Sequence, residues 1–107
     1  MEMVHSNQET ILFRVKSGTT PQQVEFSNES VNHWLKSREG FIYRSLSHDP
    51  QKDLWIDTIY WQSEAMARKA GEAFMGAPET ADYIGLIEEG SVNIYHADIH
   101  LDLSNCG

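Results

Sequence analysis

The hydrophobic period of this chain switches between two and about 3.6 residues in a fixed order, and that order limits the folds open to it. From Glu9 to Lys16 apolar residues alternate, with Ile11, Phe13 and Val15 on one side and Leu12, Arg14 and Lys16 on the other, which predicts a strand. Ser17-Gly18-Thr19 turns the chain. Thr20 is then placed to cap a helix, with Pro21 at the first helical position and Gln23 spaced to reach back as a capping box. The helix runs to about Ser37 and stops before Gly40, which suits a left-handed cap. Phe41 to Ser47 and Leu54 to Trp61 are rich in aromatic and β-branched residues around a turn-forming His48–Asp53 stretch, and read as a hairpin. Ser63 caps a second helix from Glu64 to Phe74, broken by Gly76 and Pro78. A short third helix follows from Glu79 to Ile87, and Ser91 to Leu103 alternates as a last strand.

Strand–helix–strand–strand–helix–strand order predicts an α+β, ferredoxin-like βαββαβ domain, its helices on one face of a four-stranded antiparallel sheet. The chain of 107 residues holds one domain, its core at about residues 10–101, and Met1 to Gln8 read as a loose tail. Both parities of the hairpin strands are rich in apolar residues: Ile42, Leu46, Trp55, Ile59 and Trp61 on one, Phe41, Leu54 and Ile56 on the other. A sheet with one wet face alternates more cleanly, so the second face needs a cover, and a second copy of the chain is the expected one.

A formal net charge of −8 disfavours nucleic acid and anionic membrane as partners, since both require clustered Lys and Arg. No apolar run is long enough for a membrane span or a signal-peptide core, and a cytoplasmic location follows as the default. The single cysteine, Cys106, excludes an internal disulfide and reads as an exposed terminal thiol.

Gly40-Phe41 opens the second strand, and Trp61-Gln62-Ser63-Glu64-Ala65 passes from third strand to second helix. With the element order, these residues resemble the antibiotic biosynthesis monooxygenase-like domains of the dimeric α+β barrel superfamily, over about Thr10 to Leu101. The resemblance implies homodimers packed sheet against sheet, with a pocket between sheet and helices in each subunit. It implies a cofactor-independent monooxygenase acting on polycyclic aromatic substrates, or haem degradation, or one of the many members with no assigned activity. The haem-degrading branch places a ligating His on the second helix, where this chain has Lys69. Protonated Lys has no lone pair for iron, so no haem or other cofactor is expected.

Several residues are candidates for a site. With a turn centred on Pro50-Gln51, Arg44 faces Asp57, Ile42 faces Ile59 and Leu46 faces Trp55. The charged pair then fixes subunit register on the dimer face or contacts a ligand in the pocket. Trp61 either stacks on a flat substrate at the pocket mouth or packs in the core. Asn28 interrupts the Val24, Val31 and Leu35 stripe of the first helix, with Trp34 at its margin, and bonds a ligand oxygen or the backbone. Tyr43, Tyr60 and Tyr83 are further pocket candidates. His96 is the one weak candidate for an acid or base. His96 and His100 stand about 13 Å apart along a strand, too far to share a metal ion. Two functions fit: a cofactor-independent monooxygenase on an aromatic or otherwise electron-rich small molecule, or a non-catalytic dimer that binds a small ligand or a protein.

Overall fold

The computed structural model describes residues 6–103, so Cys106 lies outside the described residues. The elements are β1 (Asn7–Phe13), α1 (Pro21–Lys36), β2 (Phe41–Asp49), β3 (Leu54–Trp61), α2 (Glu64–Phe74), a 3-10 turn (Pro78–Thr80), α3 (Ala81–Leu86) and β4 (Asn93–Asp98). The strands form one antiparallel sheet in the order β2-β3-β1-β4. This is the ferredoxin-like α+β arrangement, in which each helix crosses between strands that are not neighbours.

Local chemistry fixes most of the boundaries. Thr20 and Gln23 form a reciprocal capping box: the Thr20 hydroxyl accepts from Gln23 N at 3.2 Å, and Thr20 N donates to Gln23 Oε1 at 2.8 Å. Ser63 Oγ accepts from Met66 N at 3.2 Å and starts α2. Gly40 enters β2 at φ +85° beside Met66, so a side chain there meets both strain and a neighbour.

The strand ends correct the sequence reading. β1 begins at Asn7 and takes in two residues read as tail; it ends at Phe13, with Val15 making only an isolated bridge to Ile87. Asn7 is fully buried and its amide nitrogen donates to Asp98 Oδ1 at 3.3 Å, a cross-strand pairing that alternation within one strand does not reveal. The segment after Gly76 opens as a 3-10 turn before six residues of α-helix, and β4 is shorter than its alternation suggests.

The hairpin register also differs from the expected one. Asp49 Oδ1 accepts from Gln51 N and Lys52 N, and Asp53 takes φ +50°. The connection is therefore four residues long, and the pairing moves by two. Arg44 lies opposite Ile59, Leu46 opposite Asp57 and His48 opposite Trp55. A shift of two residues keeps every side chain on its face. Ile42 is the surplus residue of a bulge between Phe41↔Trp61 and Tyr43↔Tyr60.

The register sorts the two faces. Phe13, Trp55, Ile59 and Trp61 meet Val24, Val31, Trp34 and Leu35 of α1, Ala67 and Ala70 of α2, and Tyr83 of α3 in one core. The opposite face is mixed rather than continuously apolar. Across its strands run Ser47–Ile56–Leu12–Asn93, Ser45–Thr58–Thr10–Tyr95 and Tyr43–Tyr60–Gln8–Ala97. Among the described residues no helix is long and apolar enough to cross a membrane.

Candidate functional site

A cavity of about 410 Å³ lies between the sheet and the helices. That is within the range of small-molecule sites. Its walls are largely apolar and aromatic, with Trp34 from α1, Phe74 from α2, Tyr83 from α3 and Ile11, Ile59 and Trp61 from the sheet. Four ionisable groups besides Tyr83 border it: Glu9, Arg44, Asp57 and Glu89.

Arg44 and Asp57 form the most connected polar group. Arg44 Nε donates to Asp57 Oδ1 at 2.9 Å and Nη2 donates to Asp57 Oδ2 at 2.7 Å, a two-ended contact between side chains only 5% and 3% exposed. Arg44 also donates from Nη2 to Asn28 Oδ1 at 2.7 Å and from Nη1 to Asn32 Oδ1 at 2.9 Å. The Tyr83 hydroxyl donates to Asp57 Oδ2 at 3.0 Å. Burial works against the Arg44 charge, but the Asp57 bond and charge outweigh it and hold the guanidinium above its ordinary pKa. Burial, reinforced by the Asp57 charge, pushes the Tyr83 hydroxyl well above 10 and keeps it a donor. The pair faces the helices and the cavity, the pocket side of the two placements that the sequence left open.

Glu9 is the residue that the sequence reading passed over. It sits on the central strand β1, 7% exposed, between Ile59 of β3 and His96 of β4. Trp61 Nε1 donates to Glu9 Oε1 at 2.9 Å. Burial pushes the carboxyl above the usual carboxylate range; the Trp61 bond opposes the rise and the Asp57 charge adds to it. The available signal was parity, since Glu9 shares a face with Ile11 and Phe13.

The remaining candidates scatter. Trp61, 1% exposed, lines the inner wall rather than the mouth, and packs edge-on against Phe41 at 5.9 Å. Trp34 and Tyr83 line the cavity. Asn28 is buried beneath Arg44, with its amide nitrogen donating to Val24 O at 2.8 Å, so both ends of its amide are engaged within the protein. Tyr43 and Tyr60 pack together at 5.9 Å on the opposite face of the sheet and take no part in the cavity. His96 shares the cavity-side face and opposes Glu9 directly, but does not line the cavity. Its Nδ1 is buried without a hydrogen-bond partner. Burial and the Arg68 charge lower the His96 pKa, against a smaller opposing effect of Glu64. His100 lies beyond the end of β4.

A haem does not fit the second helix. Ala70 and Phe74 of α2 border the cavity, no histidine occurs in α2, and Lys69 lines a separate cleft with Arg38 and Met66.

No protein-family model matches the chain, and no curated protein sequence matches it. Solved structures do. SnoaB, a cofactor-independent oxygenase from Streptomyces nogalater solved as a variant, aligns over 94% of this chain and 98% of its own, with TM-score 0.70 at 14% identity. The two chains share the ferredoxin-like α+β fold. The monooxygenase from the gene ActVA-Orf6 of Streptomyces coelicolor, in complex with Nanaomycin D, covers 94% of this chain and 93% of its own, with TM-score 0.67 at 15% identity. A conserved protein of Bacteroides thetaiotaomicron described as a possible oxidoreductase gives TM-score 0.62 at 18% identity, over 91% of this chain and 100% of that one. At such identities the shared property is the fold, and the chemistry must be argued from the cavity.

Proposed function

We propose that this chain is a cytoplasmic, homodimeric, cofactor-independent monooxygenase for a flat, electron-rich aromatic molecule. One observation carries this reading. A cavity of about 410 Å³, walled by Trp34, Trp61, Phe74 and Tyr83, occupies the space between sheet and helices in a fold shared with oxygenases. Aromatic walls hold a flat ring system by stacking and exclude water from it.

The chemistry asks little of the protein. An activated methylene between aromatic rings loses a proton, and the resulting anion reacts with dioxygen to form a hydroperoxide. Loss of water leaves a carbonyl: one oxygen atom enters the product, the other leaves as water, and the methylene carbon supplies the four electrons. A shaped pocket and a proton acceptor supply the catalysis, because the substrate itself is the reductant.

The homodimer is supported by the outer sheet face, where Tyr43 and Tyr95 are more than half exposed beside Leu12, Ile56 and Tyr60. Such a surface is favourable to cover.

The test is oxygen consumption with 1,8-dihydroxyanthrone as probe, in the presence of a chelator. One dioxygen consumed per quinone formed is expected, at a rate well above the protein-free reaction. The Ile94→Trp variant, which fills the cavity from a half-exposed wall position, should lose the acceleration. Saturable binding of the anthrone with no accelerated oxygen consumption would sink the enzyme reading and leave a small-ligand-binding protein.

A further inference from the structure

We propose that Glu9 is the proton acceptor of the cavity, and that the cavity selects neutral hydroxyaromatic molecules over aromatic carboxylates. The catalytic half of this inference rests on the monooxygenase reading; the selectivity does not.

Selectivity follows from which polar groups are already engaged. A guanidinium carries five N–H donors. Four of those of Arg44 are used by Asp57, Asn28 and Asn32: that on Nε, both on Nη2 and one on Nη1, so the cation keeps a single N–H and presents no two-pronged fork to a ligand anion. Asp57 is equally engaged: Oδ1 accepts from Arg44, and Oδ2 accepts from both Arg44 and Tyr83. The other charged groups at the cavity wall, Glu9 and Glu89, are acids. An aromatic carboxylate entering here would lose its hydration beside like charges and gain no cation.

Glu9 differs from Asp57 in one respect. Its Oε1 accepts from Trp61, while no donor among the described residues reaches Oε2. A carboxyl so placed is completed by a ligand that brings an O–H or an acidic C–H. The aromatic walls supply the rest of the recognition.

The same geometry suits Glu9 to catalysis. Its Oε2 takes the proton as the ligand's C–H or O–H bond breaks, the electron pair stays on the ligand, and dioxygen accepts electrons from that anion. The proton then returns to the peroxide oxygen, restoring the carboxylate. Burial raises the carboxyl pKa towards that of a weak carbon or phenolic acid, which favours the transfer. The ionisable groups around it are Asp57 and Arg44 across the sheet, Tyr83 from α3, His96 on β4, and Glu89 at the cavity edge. Glu64 and Arg68 of α2 act on His96.

Three naphthalenes of one shape test the proposal: 2-naphthol, 2-naphthoate and naphthalene, followed by fluorescence titration at pH 7. Wild type should bind 2-naphthol at least tenfold more tightly than 2-naphthoate. Excited 2-naphthol is a strong acid, so the bound probe should emit as naphtholate when an acceptor touches it. In Glu9→Gln, where the amide oxygen still accepts from Trp61, that band should vanish and 2-naphthol should bind no better than naphthalene. Glu9→Asp should retain part of the band. Equal or tighter binding of 2-naphthoate, no binding of 2-naphthol, or a naphtholate band that persists in Glu9→Gln would each overturn the proposal. Oxygen consumption separates it from the monooxygenase reading. A naphtholate band without anthrone oxidation leaves Glu9 as acceptor and removes the enzyme, whereas full oxidation by Glu9→Gln removes Glu9 and leaves the enzyme.

Discussion

Arg44 and Asp57 hold one another by two hydrogen bonds, at 2.9 and 2.7 Å, although the strands place Leu46 and not Arg44 opposite Asp57. The long guanidinium reaches diagonally across one residue pair, and Tyr83 and Asn28 close the group from the helices. Breaking a buried pair at one end leaves an uncompensated charge, so Arg44→Met and Asp57→Leu should each destabilise by about 3–5 kcal/mol. The double variant should cost far less than the sum. Urea unfolding of the three variants measures this, and additive losses would mean that the two charges do not act as a unit.

Glu9 should make the folded state sensitive to pH in a definite direction. Its folded-state pKa lies above the ordinary 4.5, so the fold favours the protonated carboxyl. That contribution is full below pH 4.5 and is lost as pH rises through the folded-state value. His96 has the opposite sign: its pKa is below 6.5, so its contribution is full above 6.5 and is lost as pH falls through the folded value. Glu9→Gln should therefore be more stable than wild type at pH 8, with the difference shrinking towards pH 4. Melting temperatures across that range check it, and a constant difference would refute the assignment.

Gly40 and Gly18 both take positive φ, at +85° and +88°, but differ in their surroundings. An alanine Cβ at Gly40 would stand 3.0 Å from Met66 Cβ, whereas nothing lies within 4 Å of the same position at Gly18. Gly18→Ala should cost about 1–2 kcal/mol from backbone conformation alone. Gly40→Ala should cost more, since α2 must also shift. Equal losses in chemical denaturation would show that Met66 yields freely.

The dimer proposal predicts about twice the chain mass of 12.2 kDa by light scattering at micromolar concentration. Tyr60→Glu, placed on the outer face away from the cavity, should shift the population towards monomer. A wild-type monomer at that concentration would remove this part of the proposal.

Much of the fold was legible because its signals are local. β3 and α2 begin and end where aromatic alternation and the Ser63 cap place them, and the Thr20–Gln23 capping box forms as its spacing suggests. The hairpin register was not legible, because it depends on Asp53 adopting a left-handed backbone that Asn or Gly more commonly signals. The polar start of β1 was missed for a related reason: Asn7 and Glu9 each find a side-chain partner far along the chain, in Asp98 and Trp61, residues 91 and 52 positions away. The cavity residues come from all three helices and all four strands, so only the register and the helix packing bring them together.

The bulge at Ile42 has a consequence for how this strand tolerates change in length. Phe41 and Arg44 are an odd number of positions apart, yet both point to the helices, because Ile42 absorbs one step of the alternation. Ile42 is thus a spare residue: excising it would leave a regular strand with Phe41 and Arg44 still on the inner side. Excising any single residue from Ser45 to His48 would instead reverse one part of β2 relative to the other, turning Arg44 outward or breaking its pairing with β3. Within one nine-residue strand, a single deletion is harmless at one position and ruinous three positions later.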